Sequence, residues 1–598
     1  MNPVRYLIRP QDVHAHLFEV HCELDDPHPE GQRFRLPSWI PGSYLIREFA
    51  RQFVAVRAES AGAPLAIEKE AKDLWRTAPA PGPITVVAGI YAYDLSVRTA
   101  YVDATRAYFN GACVFLRPEG KEQAACIVEI LPPAGDEYAQ WRVATTLGPQ
   151  GAPPYGFGTY AAANYDELID HPVEIGDFAL AAFTAGDVRH EIALTGHHRA
   201  DLERLARDLA RVCQWHIDLF GGASPSRPPF DCYLFQITAV GDGFGGLEHR
   251  SSTSLLCRRD ELPVRGRTAI SDGYLNLLGL ASHEYFHSWN VKRIKPIAFA
   301  PYDLSQENYT RQLWAFEGFT SYYDDLALVR STLIDEARYL ELLARSITSV
   351  LRTPGRHLQS IADSSFDAWI KFYRQDENSP NAGISYYWKG SLVALALDLT
   401  LRKGRGSLDD VMRALWTGHG STGVGVAEDE IERILGEIAG HGMHDFFDRY
   451  VRGTEDPPLE SLLRDFGVEW HLRAASGVGD RGGKPATGPL PSCSLGARLS
   501  TDFRLTHVFN GGPAERAGLA ANDVLVAIDG LRASPSAIES LLADRVPGER
   551  VSVHAFRRDE LLSVELELAA APIDTCYLTM MEDCEESVLE RRRRWLRG

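Results

Sequence analysis

His283-Glu284-Tyr285-Phe286-His287 spells H-E-x-x-H. On a helix, positions i and i+4 lie one turn apart on one face, so both imidazoles can reach a single metal ion. Glu284 falls beside them, where it can take a proton from a metal-bound water. Leu275, Leu277, Leu278, Leu280 and Ala281 precede the motif, and Phe286 and Trp289 accompany it. The segment is therefore predicted to be a buried helix, apolar on most sides. Buried His and Glu are costly without partners, and a metal ion is an efficient partner. This is the minimal layout of a zinc hydrolase.

A catalytic zinc takes three protein ligands and a water. Downstream, Leu313-Trp314-Ala315-Phe316-Glu317-Gly318-Phe319-Thr320 reads as a second apolar helix with Glu317 as its lone acid. H-E-x-x-H followed by W-x-x-E-G-x-T resembles the gluzincin metallopeptidases, in which the Glu of an E-G-F segment is the third ligand. The connection after His287 is longer than in the aminopeptidase N branch and holds Asn290-Val291-Lys292-Arg293-Ile294-Lys295-Pro296. That run is similar to the glycyl aminopeptidase family, gluzincins that carry a PDZ domain.

The resemblance implies two further sites. Gly245-Gly246-Leu247-Glu248-His249 is a looser version of the gluzincin Gly-x-Met-Glu-Asn segment, an edge strand whose Glu binds the substrate's α-amino group. Glycines let a peptide approach a strand closely, and a carboxylate pairs with an ammonium, so Gly245, Gly246 and Glu248 are the expected substrate-binding residues. His249 stands where the family has Asn, and its role is open. Tyr386-Tyr387-Trp388-Lys389-Gly390 resembles the Tyr-x-Lys-Gly segment whose Tyr donates to the oxyanion. Tyr387 matches by spacing; Tyr386 is the alternative donor.

The chain has 598 residues, enough for roughly three to five domains. Its apolar and charged fractions, 45% and 24%, are those of a globular protein. Net charge is −19, from 62 basic and 81 acidic residues, which argues against nucleic acid or an anionic membrane as partner. No apolar run reaches the ~18–20 residues that span a bilayer, and the start lacks the long apolar region of a signal peptide. Nine scattered Cys without a C-x-x-C pair suit a reducing compartment, so a cytoplasmic location is expected.

Along the chain, period-2 alternation predicts an N-terminal all-β, β-sandwich-like domain over residues 1–165, as in Phe18, Val20, Cys22 and Leu24. Ser38-Trp39-Ile40-Pro41-Gly42-Ser43-Tyr44 within it also looks like the glycyl aminopeptidases, where this domain lies beside the cleft. A thermolysin-like zinc catalytic domain is expected over 166–332. Leu340, Leu343, Ile347 and Val350, and later Ile431, Ile434, Leu435 and Ile438, have helical spacing, so 333–475 is expected to be mostly helical. A Gly/Pro-rich linker covers 476–491. Gly511-Gly512-Pro513-Ala514-Glu515-Arg516-Ala517-Gly518-Leu519, then Asp523-Val524-Leu525-Val526-Ala527-Ile528-Asp529-Gly530, resembles PDZ domains over 492–570. Such domains bind extended peptide termini by strand addition. The loop Ser494-Leu495-Gly496-Ala497 matches the carboxylate-binding loop poorly, so peptide binding and an intramolecular packing or gating role both stand. The tail 571–598 ends in Arg591-Arg592-Arg593-Arg594 below an acidic stretch, which suggests a self-neutralising helix or an intramolecular clamp.

The fold class expected is thus multidomain α+β. The function expected is a zinc aminopeptidase with one Zn²⁺ per chain, held by His283, His287 and Glu317. Glu284 would be the general base, Tyr387 the oxyanion donor and Glu248 the amine anchor. The resemblance implies a preference for N-terminal Gly or Ala on peptides with a free N-terminus. The alternatives are an endopeptidase or another zinc hydrolase, such as an epoxide hydrolase, on the same scaffold, or a PDZ adaptor with a vestigial peptidase domain.

Overall fold

The computed structural model describes residues 2–221 and 227–598. The chain divides into two compact units: Met1–Asn308 with Leu415–Val426, and Tyr309–Ala414 with Ala427–Gly598. The fold is multidomain α+β, with a β-rich N-terminal region.

In the first unit, Val4–Asp12, Leu17–Leu24, Ile84–Tyr91 and Phe53–Ser60 are successive neighbours in an eight-stranded sheet. Alternation appears as a buried face carrying Phe18, Val20, Cys22 and Leu24. The β region runs past residue 165 to Gly176, because Val173–Gly176 pairs antiparallel with both Arg106–Phe109 and Arg142–Ala144.

The sheet that follows contains β1 (Ala179–Ala185), β2 (Val188–Thr195), β3 (Cys232–Val240), β4 (Gly245–Glu248) and β5 (Ser252–Arg258). Its order is β1-β2-β3-β5-β4, which puts the Gly-Gly-Leu-Glu strand at an edge. Two helices pack in this unit: amphipathic α1 (Leu202–Gly221) and α2 (Asp272–Phe286), which is apolar on most sides. Ser271 caps α2 by accepting from Tyr274 N.

The second unit is mostly helical up to Arg464. Its first helices are α3 (Leu313–Phe316) and α4 (Gly318–Arg330), so the single helix expected there is broken at Glu317. Leu340, Leu343, Ile347 and Val350 are buried on the helix Glu336–Leu351. A further long helix is α5 (Trp388–Lys403). The Gly/Pro-rich stretch after 475 is pinned: Asp480 pairs with Arg473, and Gly483 N donates to Cys576 O at 2.9 Å.

Residues 493–568 gather their own core, including Leu495, Leu505, Ala514, Leu525, Ile538, Val551 and Leu566. The helix Pro535–Asp544 and the hairpin Arg550–Arg557/Glu560–Glu567 belong to this stretch. The tail forms α6 (Glu586–Leu596). Arg591 and Arg592 donate to the carbonyls of Asp465 and Gly467, Arg593 pairs with Glu586, and Trp595 is fully buried. The four-Arg run is therefore both self-neutralising and an intramolecular clamp.

Candidate functional site

In the first unit, α2 carries the H-E-x-x-H residues. Leu275, Leu277, Leu278, Ala281, Tyr285 and Phe286 are buried along it. From beneath, His190 Nε2 meets Tyr285 Oη at 2.8 Å and His216 Nε2 meets Ser282 Oγ at 2.9 Å. Burial pushes the imidazolium pKa down to about 4 at His190 and about 3 at His216, so both act as neutral struts near pH 7.

The His283 and His287 rings are adjacent, with centroids 4.7 Å apart. His287 Nδ1 lies 2.6 Å from the carbonyl of Asn290. A carbonyl can only accept, so Nδ1 donates and, in the neutral ring, Nε2 carries the lone pair. The turn containing Asn290 is locked in turn by Arg293, which donates to the carbonyls of Ser288, Pro229 and Arg250.

β4 passes against this helix. A Cβ built on Gly246 would sit 2.6 Å from Cγ of Glu284 and closer to its carboxylate, so only glycine admits Glu284 there. Two residues on, Glu248 is 3% exposed, and its Oε1 has no hydrogen-bond partner among the described residues. The carboxylates of Glu248 and Glu284 and a ring nitrogen of His287 each offer an atom within 4.8 Å of the others. Two buried acids and a lone-pair nitrogen converging at low dielectric make a cation-binding donor set, so the residues fit a divalent metal and an ammonium.

Three contributors lay outside the sequence expectations. Gly42, at φ +91°, underlies Glu248: a Cβ there would lie 2.6 Å from Cδ of Glu248. Asp170 accepts from Lys292 Nζ at 2.6 Å, Arg250 N at 3.1 Å and His249 Nδ1 at 3.2 Å. Burial opposes Asp170's charge, but Lys292, Arg250 and His249 outweigh it and hold the carboxyl well below the usual range. His249 thus anchors the end of β4. Arg98 donates through Nη2 to Gly246 O at 3.3 Å. The local signal for the first of these was the Trp-Ile-Pro-Gly-Ser turn; Asp170 and Arg98 carried none.

In the second unit, Glu317 is buried at the break between α3 and α4. A Cβ on Gly318 would meet the Gly390 carbonyl carbon at 2.6 Å, and one on Gly390 would meet Trp314 O at 2.7 Å. The glycines of Glu-Gly and Lys-Gly therefore pack on each other, bringing the starts of α4 and α5 together. Lys389 Nζ bonds Thr454 O at 2.9 Å and Asp456 at 3.1 Å, which fixes the start of α5. Tyr386 is fully buried; burial, then Tyr373 and Glu317, push its phenol pKa well up. Tyr387 is half-buried, with its hydroxyl 3.3 Å from that of Tyr373.

Two family models match, the Peptidase M61 N-terminal domain at residues 5–177 and M61 glycyl aminopeptidase at residues 276–393. No curated protein sequence matches the chain. The crystal structure of an aminopeptidase N family protein from Idiomarina loihiensis is 39% identical, with a TM-score of 0.95 over 99% of this chain and 100% of that one. The M1 zinc metallopeptidase of Deinococcus radiodurans is 14% identical, with a TM-score of 0.47 over 77% of this chain and 95% of that one. A mutant of it bound to a Tyr-Ser-Ala substrate matches equally, and neither likeness is close enough to carry an argument. By the family models and its full-length relative, the chain belongs to the M61 glycyl aminopeptidase family and is a metallo-aminopeptidase, a hydrolase.

Proposed function

We propose that the protein removes small N-terminal residues, Gly and Ala first, from peptides with a free N-terminus, using one zinc ion held by His283, His287 and Glu317. When bound, zinc would polarise the scissile carbonyl and acidify a water. Glu284 accepts that water's proton and passes it to the leaving amine. Tyr387 donates to the oxyanion, with Tyr386 as the alternative donor. Glu248 binds the α-ammonium, and Gly245 and Gly246 leave the strand edge open to the peptide backbone.

The observation that supports an aminopeptidase over an endopeptidase is the closeness of anchor and base. Carboxylate oxygens of Glu248 and Glu284 lie within 4.8 Å of each other. An ammonium held by Glu248 leaves space for a single residue before the bond that Glu284 serves, and a blocked or internal segment would bury Glu248's charge uncompensated. The Gly and Ala preference rests on the family alone.

Residues 492–570 are proposed as a PDZ module, supported by their motif and their own core. Asn381, 4% exposed, donates to Val508 O at 2.8 Å and accepts from Asn510 N at 3.2 Å, which supports an intramolecular role beside the segment leading to Tyr386. Among the described residues no helix is long and apolar enough to cross a membrane. A cytoplasmic location is proposed from nine free thiols, most of them buried.

Zinc titration of the metal-stripped protein tests the ligand set. One zinc per chain is expected, with affinity lost in His283→Ala, His287→Ala and Glu317→Ala and kept in Glu248→Gln. Affinity kept without Glu317 but lost without Glu248 would overturn this set in favour of Glu248, Glu284 and His287.

A further inference from the structure

Arg98 is a guanidinium beside the substrate strand that no carboxylate answers among the described residues. Its loop is rigidly held: Val97 O accepts from Tyr108 Oη at 3.1 Å and Asn110 Nδ2 at 2.8 Å, and Thr99 O accepts from Asn110 N at 3.2 Å. The side chain is half-buried. Nη2 reaches Gly246 O at 3.3 Å, and Nη1 would lie 3.8 Å from a Cβ on Gly245. Nε is buried with no hydrogen-bond partner, and no carboxylate pairs with Arg98 among the described residues. In a chain of net charge −19, acids are abundant, yet among the described residues this partly desolvated cation donates only to the carbonyl of Gly246. A guanidinium presents a planar fork that fits a carboxylate through two parallel bonds.

The direction of the substrate follows from the proposed function, on which this inference rests. Glu248 holds the ammonium, and Glu284 stands against Gly246, so the peptide runs from Glu248 towards Gly245. At about 3.3 Å per extended residue, two residues of peptide cover roughly the span from Glu248 to Gly246. The carboxylate of a dipeptide then arrives at Arg98. We infer that Arg98 receives the C-terminal carboxylate of very short peptides, dipeptides first, and so sets substrate length from the end opposite to Glu248. Longer peptides present a neutral carbonyl at the same place and gain only an ordinary hydrogen bond.

The test compares glycyl-alanine with glycyl-alanine amide as substrates. The zinc-loaded wild type is expected to favour the free acid by about tenfold in kcat/KM, the worth of a charge-assisted bond. In Arg98→Gln the acid-to-amide ratio falls to near one, and in Arg98→Lys it is intermediate. The ratio is the readout, and thermal unfolding checks that each variant is folded. A wild-type ratio near one, or a preference that survives in Arg98→Gln, would overturn the inference; should Arg98→Gln not fold, the wild-type ratio and Arg98→Lys decide it alone. Failure of the aminopeptidase reading looks different: the wild type then cleaves neither substrate.

Discussion

Gly246→Ala separates positioning from folding at the candidate site. Gly246 lies in an ordinary strand conformation, outside the left-handed region, so alanine is admissible to the backbone. The added Cβ falls 2.6 Å from Cγ of Glu284. Nonbonded carbons settle at about 3.5–4.0 Å, so Glu284 or the strand must give way by about 1 Å. A displacement of that size in a reacting group costs about a hundredfold in rate, close to 2.7 kcal/mol of barrier. The zinc ligands proposed here are other residues, so metal content is expected to stay at wild-type level. The assay is kcat/KM on a glycyl anilide, with zinc content and unfolding midpoint measured in parallel. A folded, zinc-loaded Gly246→Ala within threefold of wild type would refute the placement of Glu284 as the base against this strand.

Three other perturbations follow from the same geometry. Tyr387→Phe is expected to lower kcat by about 10²–10³ with little change in KM, and Tyr386→Phe to cost less than tenfold; the reverse order in steady-state kinetics would move the oxyanion role to Tyr386. Trp595→Ala removes a fully buried side chain whose Nε1 donates to Tyr322 Oη at 3.0 Å, and should cost about 3–5 kcal/mol, read as a fall in unfolding midpoint. His190 and His216 stay neutral in the fold down to about pH 4 and 3, while in the unfolded chain they protonate near 6.5. The unfolded state then binds more protons below 6.5, so stability of the metal-free protein falls as pH drops from about 6.5 towards 4, and denaturant melts of His190→Gln/His216→Gln should show a shallower slope.

The metal helix was legible because H-E-x-x-H is a local pattern and its apolar flanks share the helical period. Gly-Gly-Leu-Glu was legible as an edge strand only through its resemblance to the gluzincin segment, since its glycines alone also suit a turn. The break at Glu317 was not, since Leu313 to Tyr323 is mostly apolar and aromatic on both sides of it; it becomes intelligible only through Gly318 packing on Gly390, far along the chain. The boundary at 165 fell short because Val173–Gly176 is a four-residue strand whose identity comes from its partners Arg106–Phe109 and Arg142–Ala144. Gly42 beneath Glu248, Arg98 beside Gly246 and Asp170 beneath His249 are long-range contacts, and periodicity carries no information about them. The Arg tail was ambiguous in the sequence because its decisive acceptors, the carbonyls of Asp465 and Gly467, are backbone groups.

The most direct test is hydrolysis of glycyl and alanyl anilides beside their N-acetylated forms, by protein stripped of metal and then restored with zinc. Glu284→Gln and Glu248→Gln serve as controls. The predicted result is zinc-dependent cleavage of the free-amine substrates alone, abolished in Glu284→Gln and weakened through KM in Glu248→Gln. Equal cleavage of acetylated and free substrates would contradict the amine anchor at Glu248 and make the protein an endopeptidase.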